Sequence, residues 1–180
     1  DDPLVAASEN SFAALEWNQG EYEEAERRYT RALAIWEKTY GDNHADVAKV
    51  LNNLALLKAQ LQDYDEAERL YRRAVPIYAK VLGPDHARLG QALNNLALVY
   101  YDQGKYDEAI PYFERAIELK PDYPTAIKSL SDAHYKLRDP KKATAYFSRY
   151  LELKPQDPAG HVIDTNSVRR EIDYSMARLD

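Results

Sequence analysis

Two pairs of adjacent asparagines, Asn52-Asn53 and Asn94-Asn95, stand 42 residues apart, each within the run Leu-Asn-Asn-Leu-Ala. A side-chain amide carries one carbonyl acceptor and an N–H donor group, so it can pair with either half of a peptide unit. A ladder of four such amides could hold the main chain of another polypeptide without reading its side chains. The same residues could instead satisfy neighbouring helix backbone or face water. Each hydrogen bond contributes a net of about 0.5–1.5 kcal/mol, so four supply about 2–6. Micromolar binding needs about 8 kcal/mol. Apolar anchoring must provide the remainder.

The histidines offer less chemistry. His44 and His86 also stand 42 residues apart, in the loops Gly41-Asp42-Asn43-His44 and Gly83-Pro84-Asp85-His86. That recurrence points to structure, with Asn43 and Asp85 as helix N-caps and each histidine as the first helical residue. The two lie a full repeat apart and lack companions at ligand spacing, so no metal site is expected. His161 has no partner motif. There is no His-Glu-x-x-His run, phosphate loop or nucleophile elbow. The acidic residues mostly neighbour Arg and Lys at helical spacing, as on a solvated face. The reading is a non-enzyme with no catalytic residue and no cofactor.

The elements that would position the asparagines repeat with them. Tyr22-Glu23-Glu24-Ala25 returns as Tyr64-Asp65-Glu66-Ala67 and as Tyr106-Asp107-Glu108-Ala109, and a weaker fourth copy puts Ala143 and Phe147 where Ala109 and Phe113 stand. Each unit reads helix A, turn, helix B, loop, with apolar residues at 3–4-residue spacing and no alternating strand pattern. Ala13, Ala55, Ala97 and Ser131 on the A helices, with Ala25, Ala67, Ala109 and Ala143 on the B helices, let helix axes approach to about 8–10 Å. Phe12, Leu54, Leu96 and Leu130 should fill the space beside them, opposite Tyr29, Tyr71, Phe113 and Phe147. Ala32, Ala74 and Ala116 then admit the next unit. No hairpin buries its apolar face alone, so stacking must stabilise the array.

These residues resemble the tetratricopeptide repeat (TPR) pattern, W-x2-L-G-x2-Y, then A-x3-F, A and P. Leu93, Leu96, Ala97, Tyr100, Tyr106, Ala109, Phe113, Ala116 and Pro121 follow it, and the first two units are similar to the 42-residue repeats of kinesin light chain. The resemblance implies an all-α fold, a right-handed α-solenoid of antiparallel helix hairpins closed by a capping helix. It implies one domain over 1–180, with repeats at about 5–40, 44–82, 86–120 and 124–154 and the cap at about 159–179. Val168, Ile172, Met176 and Leu179 form the apolar stripe of that cap. Departures are Glu9 and Glu16, which leave the first A helix weakly defined; Pro140 and Tyr150 in unit four; and Pro76, which should kink its helix. His134 takes the place of a packed aromatic, in the core or at its rim.

In such arrays the A helices line a concave groove that binds extended peptides. The matching positions are Asn10 with Ala14 and Trp17; Lys49, Asn52, Asn53, Leu56 and Gln60; Gln91, Asn94, Asn95, Leu98 and Tyr101; Lys128, Asp132 and Tyr135. In kinesin light chains, matching asparagines are associated with cargo-peptide contacts. The Lys-Asn-Asn-Lys-Arg clamp that holds chaperone tails is absent: Asn10, Ala14, Asn53, Gln91 and Asn95 stand there in one register, and Asn52, Leu56, Asn95, Thr125 and Ser129 in the other. The resemblance therefore implies a scaffold for a protein or peptide partner. The alternatives are a self-assembling homo-oligomer, joined through the ends or cap helix, and an accessory subunit of an enzyme complex.

Composition narrows the partners. With 24 basic and 30 acidic residues the net charge is −6. A nucleic-acid binder needs a basic face to displace counterions, and an acidic membrane surface makes the same demand. No run approaches the roughly 20 apolar residues of a membrane span. There is no cysteine, which excludes disulfides and thiolate metal sites. The reading is a soluble protein with a cytoplasmic location favoured. A start at Asp1-Asp2-Pro3 suggests a processed or excised N-terminus and leaves export open.

Overall fold

A computed structural model describes residues 2–153 and residue 170. Eight helices follow in order: α1 (Pro3–Gln19), α2 (Tyr22–Tyr40), α3 (Ala45–Gln60), α4 (Tyr64–Leu82), α5 (Ala87–Asp102), α6 (Tyr106–Leu119), α7 (Pro124–Lys136) and α8 (Pro140–Leu153). No strand occurs among the described residues, and the fold is an all-α solenoid. Each helix packs on the next in the chain, while α3 touches α5 and α5 touches α7 along the odd-numbered row. The expected capping helix lies outside the described residues.

Within each hairpin the turn forces one residue into the left-handed region. Gly20 (φ 83°) and Gly104 (φ 75°) accept this freely, whereas Gln62 (φ 63°) and Arg138 (φ 58°) hold the same place with a side chain. The small residues expected at the crossings are buried in all four hairpins. Ser131 adds a bond there: its hydroxyl donates to the Ala143 carbonyl at 2.7 Å, a reach only a close helix approach allows. Tyr29, Tyr71 and Phe113 are fully buried beside these crossings.

Several expectations are corrected. His44 and His86, and not Asn43 and Asp85, are the N-caps: their Nδ1 atoms accept from the Asp46 and Arg88 backbone N–H at 3.2 and 3.1 Å. An imidazole with its proton on Nε2 leaves Nδ1 as an acceptor, attached at Cγ like the Oδ1 of Asn or Asp and so able to make the same cap bond. Helix α1 is complete despite Glu9 and Glu16. Arg28 reaches both, at 3.0 and 2.6 Å, and Arg31 adds a 2.9 Å bond to Glu9, so charge pairing replaces apolar packing. Glu9 is accordingly buried, not on a solvated face. Phe12 is 53% exposed, unlike Leu54, Leu96 and Leu130, because among the described residues α2 is the one B helix that packs on α1; the Arg28 guanidinium sits 5.4 Å from its ring. Pro76 lies inside α4 as expected and does not end the helix, which continues to Leu82. His134 is in the core, stacked on Tyr146 at 5.7 Å.

Candidate peptide-binding groove

The odd-numbered helices present the candidate residues at helical spacing, so that Gln91, Asn94, Leu98 and Tyr101 share one face of α5. Lys49 and Asn52 with Asn53 and Leu56 do the same on α3, and Lys128 with Tyr135 on α7. Lys49, Gln91, Lys128 and Tyr135 are exposed; Asn52, Asn53, Leu56, Asn95, Leu98 and Tyr101 are half-buried; Asn10 and Asn94 are buried.

The four-amide ladder is not uniformly open. Asn53 Nδ2 donates to Asn10 Oδ1 at 3.1 Å, a bond between the first two hairpins that occupies both residues. Asn94, 2% exposed, donates from Nδ2 to Asn95 Oδ1 at 3.4 Å, and its own carbonyl oxygen has no partner among the described residues. Asn52 alone combines partial exposure with no side-chain hydrogen bond to the described residues. Side chains at the candidate positions thus divide into those bonded to another side chain and those with no such bond among the described residues.

Several of the candidate groove residues are already paired. Trp17 Nε1 donates to Gln60 Oε1 at 2.6 Å, and Gln60 Nε2 donates to the Tyr22 hydroxyl at 2.9 Å, so both expected groove residues are spent on an inter-repeat bridge. The groove cation Lys128 pairs with Asp132 at 2.8 Å, and that bond raises its pKa. Tyr101 sits edge-on to Tyr106 at 5.1 Å. Burial raises the Tyr101 phenol, with Asp132 pushing the same way, and burial also raises Asp102. Leu56, Leu98, Tyr101 and Tyr135 remain as partly or well exposed apolar surface on α3, α5 and α7, the first on the same helix as Asn52. Among the described residues no cluster of His, Asp or Glu could hold a metal ion, and no helix is long and apolar enough to cross a membrane.

Known proteins match this arrangement. Sequence profiles of the tetratricopeptide repeat match residues 4–80, 46–122 and 94–158. The crystal structure of BtubC (BKLC) from P. vanneervenii is similar at a TM-score of 0.82 with 26% identity, over 91% of this chain and 72% of that one. A Podosopora anserina kinesin light chain with nearly identical TPR-like repeats gives 0.75 and 20%, over 99% and 86% of the two chains. MamA gives 0.70 and 20%, over 85% and 80%. No curated protein matches in sequence. TPR arrays generally mediate protein–protein interaction and scaffolding, typically without catalysis. With profiles covering residues 4–158 and paired helices from Pro3 to Leu153, the chain belongs to the tetratricopeptide repeat family.

Proposed function

We propose that this chain is an interaction scaffold that holds an extended segment of a partner protein in the groove of its odd-numbered helices. The observation that carries the reading is Asn52, half-buried with no side-chain partner among the described residues, in a face shared with Leu56 and neighbouring Leu98 and Tyr101. Its amide would pair with the partner's main chain, and the apolar residues would supply the affinity that one or two net hydrogen bonds cannot. Lys128, neutralised by Asp132, gives little grip on an acidic tail. A peptide-array screen of the wild type against Asn52→Ala and Leu98→Ser tests this. Peptides should be lost or weakened in both variants, and equal binding by all three proteins would reject the groove.

Self-association is a second reading, favoured by α1. Leu4, Val5, Phe12 and Leu15 are 74%, 39%, 53% and 56% exposed on that one helix. Light scattering across a concentration series would reveal a dimer or larger species. A monomer at every concentration would exclude it.

A further inference from the structure

One place in the hairpin recurs four times with different chemistry: Glu16–Arg28, Lys58–Leu70, Tyr100–Tyr112 and His134–Tyr146 occupy it in turn. The first is an ion pair at 2.6 Å, and the third and fourth are ring stacks at 5.4 and 5.7 Å. The second has no such match, since an ammonium gains nothing from an isobutyl group. Lys58 turns away to Glu26 at 2.7 Å and Asp63 at 3.8 Å. A cleft of about 640 Å³ lies there between α2 and α4, with Leu33, Leu54 and Leu70 in its floor and Glu26, Thr30 and Arg73 among its walls.

The next junction shows what fits such a space. Tyr100, 3% exposed, lies between α4 and α6; its hydroxyl donates to Glu68 at 3.0 Å and accepts from Arg72 at 2.8 Å. The Lys105 ammonium stands 5.8 Å from its ring and 3.6 Å from Glu68. One repeat earlier, Glu26 is the counterpart of Glu68, and the Lys58 ammonium sits on Glu26 as Lys105 sits on Glu68. Thr30 replaces Arg72 and leaves the entrance less obstructed. The first junction therefore has the carboxylate and the cation but not the ring.

We propose that the cleft between α2 and α4 is a binding site for a tyrosine side chain of a protein partner, whose phenol packs on Leu54 and Leu70 and donates its O–H to Glu26. This site is separate from the groove and stands whether or not the groove binds peptide. The ring would lie between an apolar floor and the Lys58 ammonium, an arrangement that favours an aromatic over an aliphatic side chain.

NMR titration of the isotope-labelled chain with p-cresol, toluene and N-acetyl-tyrosinamide tests it. Saturable shifts should map to residues 26, 30, 54, 58 and 70, with p-cresol binding about tenfold tighter than toluene because only it can donate to Glu26. Lys58→Tyr/Leu70→Tyr, which copies the next junction, should fill the cleft and abolish those shifts. Glu26→Ala, which removes the acceptor at a half-buried position outside the core, should bring p-cresol and toluene to similar affinities. Shifts confined to other regions, equal affinity for p-cresol and toluene in the wild type, or binding of p-cresol without N-acetyl-tyrosinamide would each overturn the proposal.

Discussion

Replacing Tyr71 by phenylalanine should stabilise the chain. Tyr71 is completely buried, and its hydroxyl has no hydrogen-bond partner of ordinary geometry among the described residues. Burial pushes this phenol far above its usual range; the Asn95 side chain acts against that shift without forming a bond of normal geometry. An unpaired buried hydroxyl costs about 1–3 kcal/mol. The third hairpin holds Phe113 at the same place, also fully buried, so a bare ring fits the site. Removing one oxygen forfeits a few contacts of about 0.1–0.2 kcal/mol each. The balance is a gain of about 1 kcal/mol, a rise in Tm of roughly 2–4 °C for a chain of this size. Thermal and urea unfolding followed by circular dichroism would measure it. A loss of about 1 kcal/mol or more would show that the hydroxyl is bonded in the folded chain, and the reasoning would fail.

Other perturbations separate buried from open positions. Leu54→Ala should cost about 2–5 kcal/mol in urea unfolding, whereas Phe12→Ala at the equivalent place on α1 should stay within about 0.5. Gln62→Gly should gain up to about 1 kcal/mol by relieving a left-handed side chain, and Gly104→Ala should lose a similar amount, both read as Tm. Burial, then Lys142, lowers the His134 pKa, so its contribution is fully present above the unfolded value of about 6.5 and is lost as pH falls through the folded value. Unfolding midpoints between about pH 8 and 5 should show this, and His134→Tyr, the residue of the third hairpin, should flatten it.

Periodicity made the fold readable. Alanines at helix crossings and aromatics beside them recur because close packing tolerates few alternatives, and those positions are buried as expected apart from Phe147, which is half-buried. The first hairpin was harder to read because two rules changed together. Glu9 and Glu16 look like defects until Arg28 is placed where the second hairpin has Leu70, and the matched charges then explain each other. That signal was present in the sequence, but only as a pair. The cap assignments missed by one residue because Asn and Asp are the usual acceptors, and histidine serves only in one tautomer. The groove was least legible. Asn10, Asn52, Asn53 and Asn94 are the same residue type, yet burial and neighbours give them different duties, which spacing does not encode.

The ion cluster of the first hairpin gives the array a direction. Where the third and fourth hairpins close on stacked rings, this one closes on Arg28 and Arg31 gripping two carboxylates, with the Arg31 side chain 65% in solvent. Dissolved salt weakens such a clasp and leaves ring stacks intact. In a linear stack whose members lean only on adjacent ones, one unit can loosen while others stay packed. Rising ionic strength should therefore loosen the first hairpin and its Asn10–Asn53 tie before the third and fourth hairpins part.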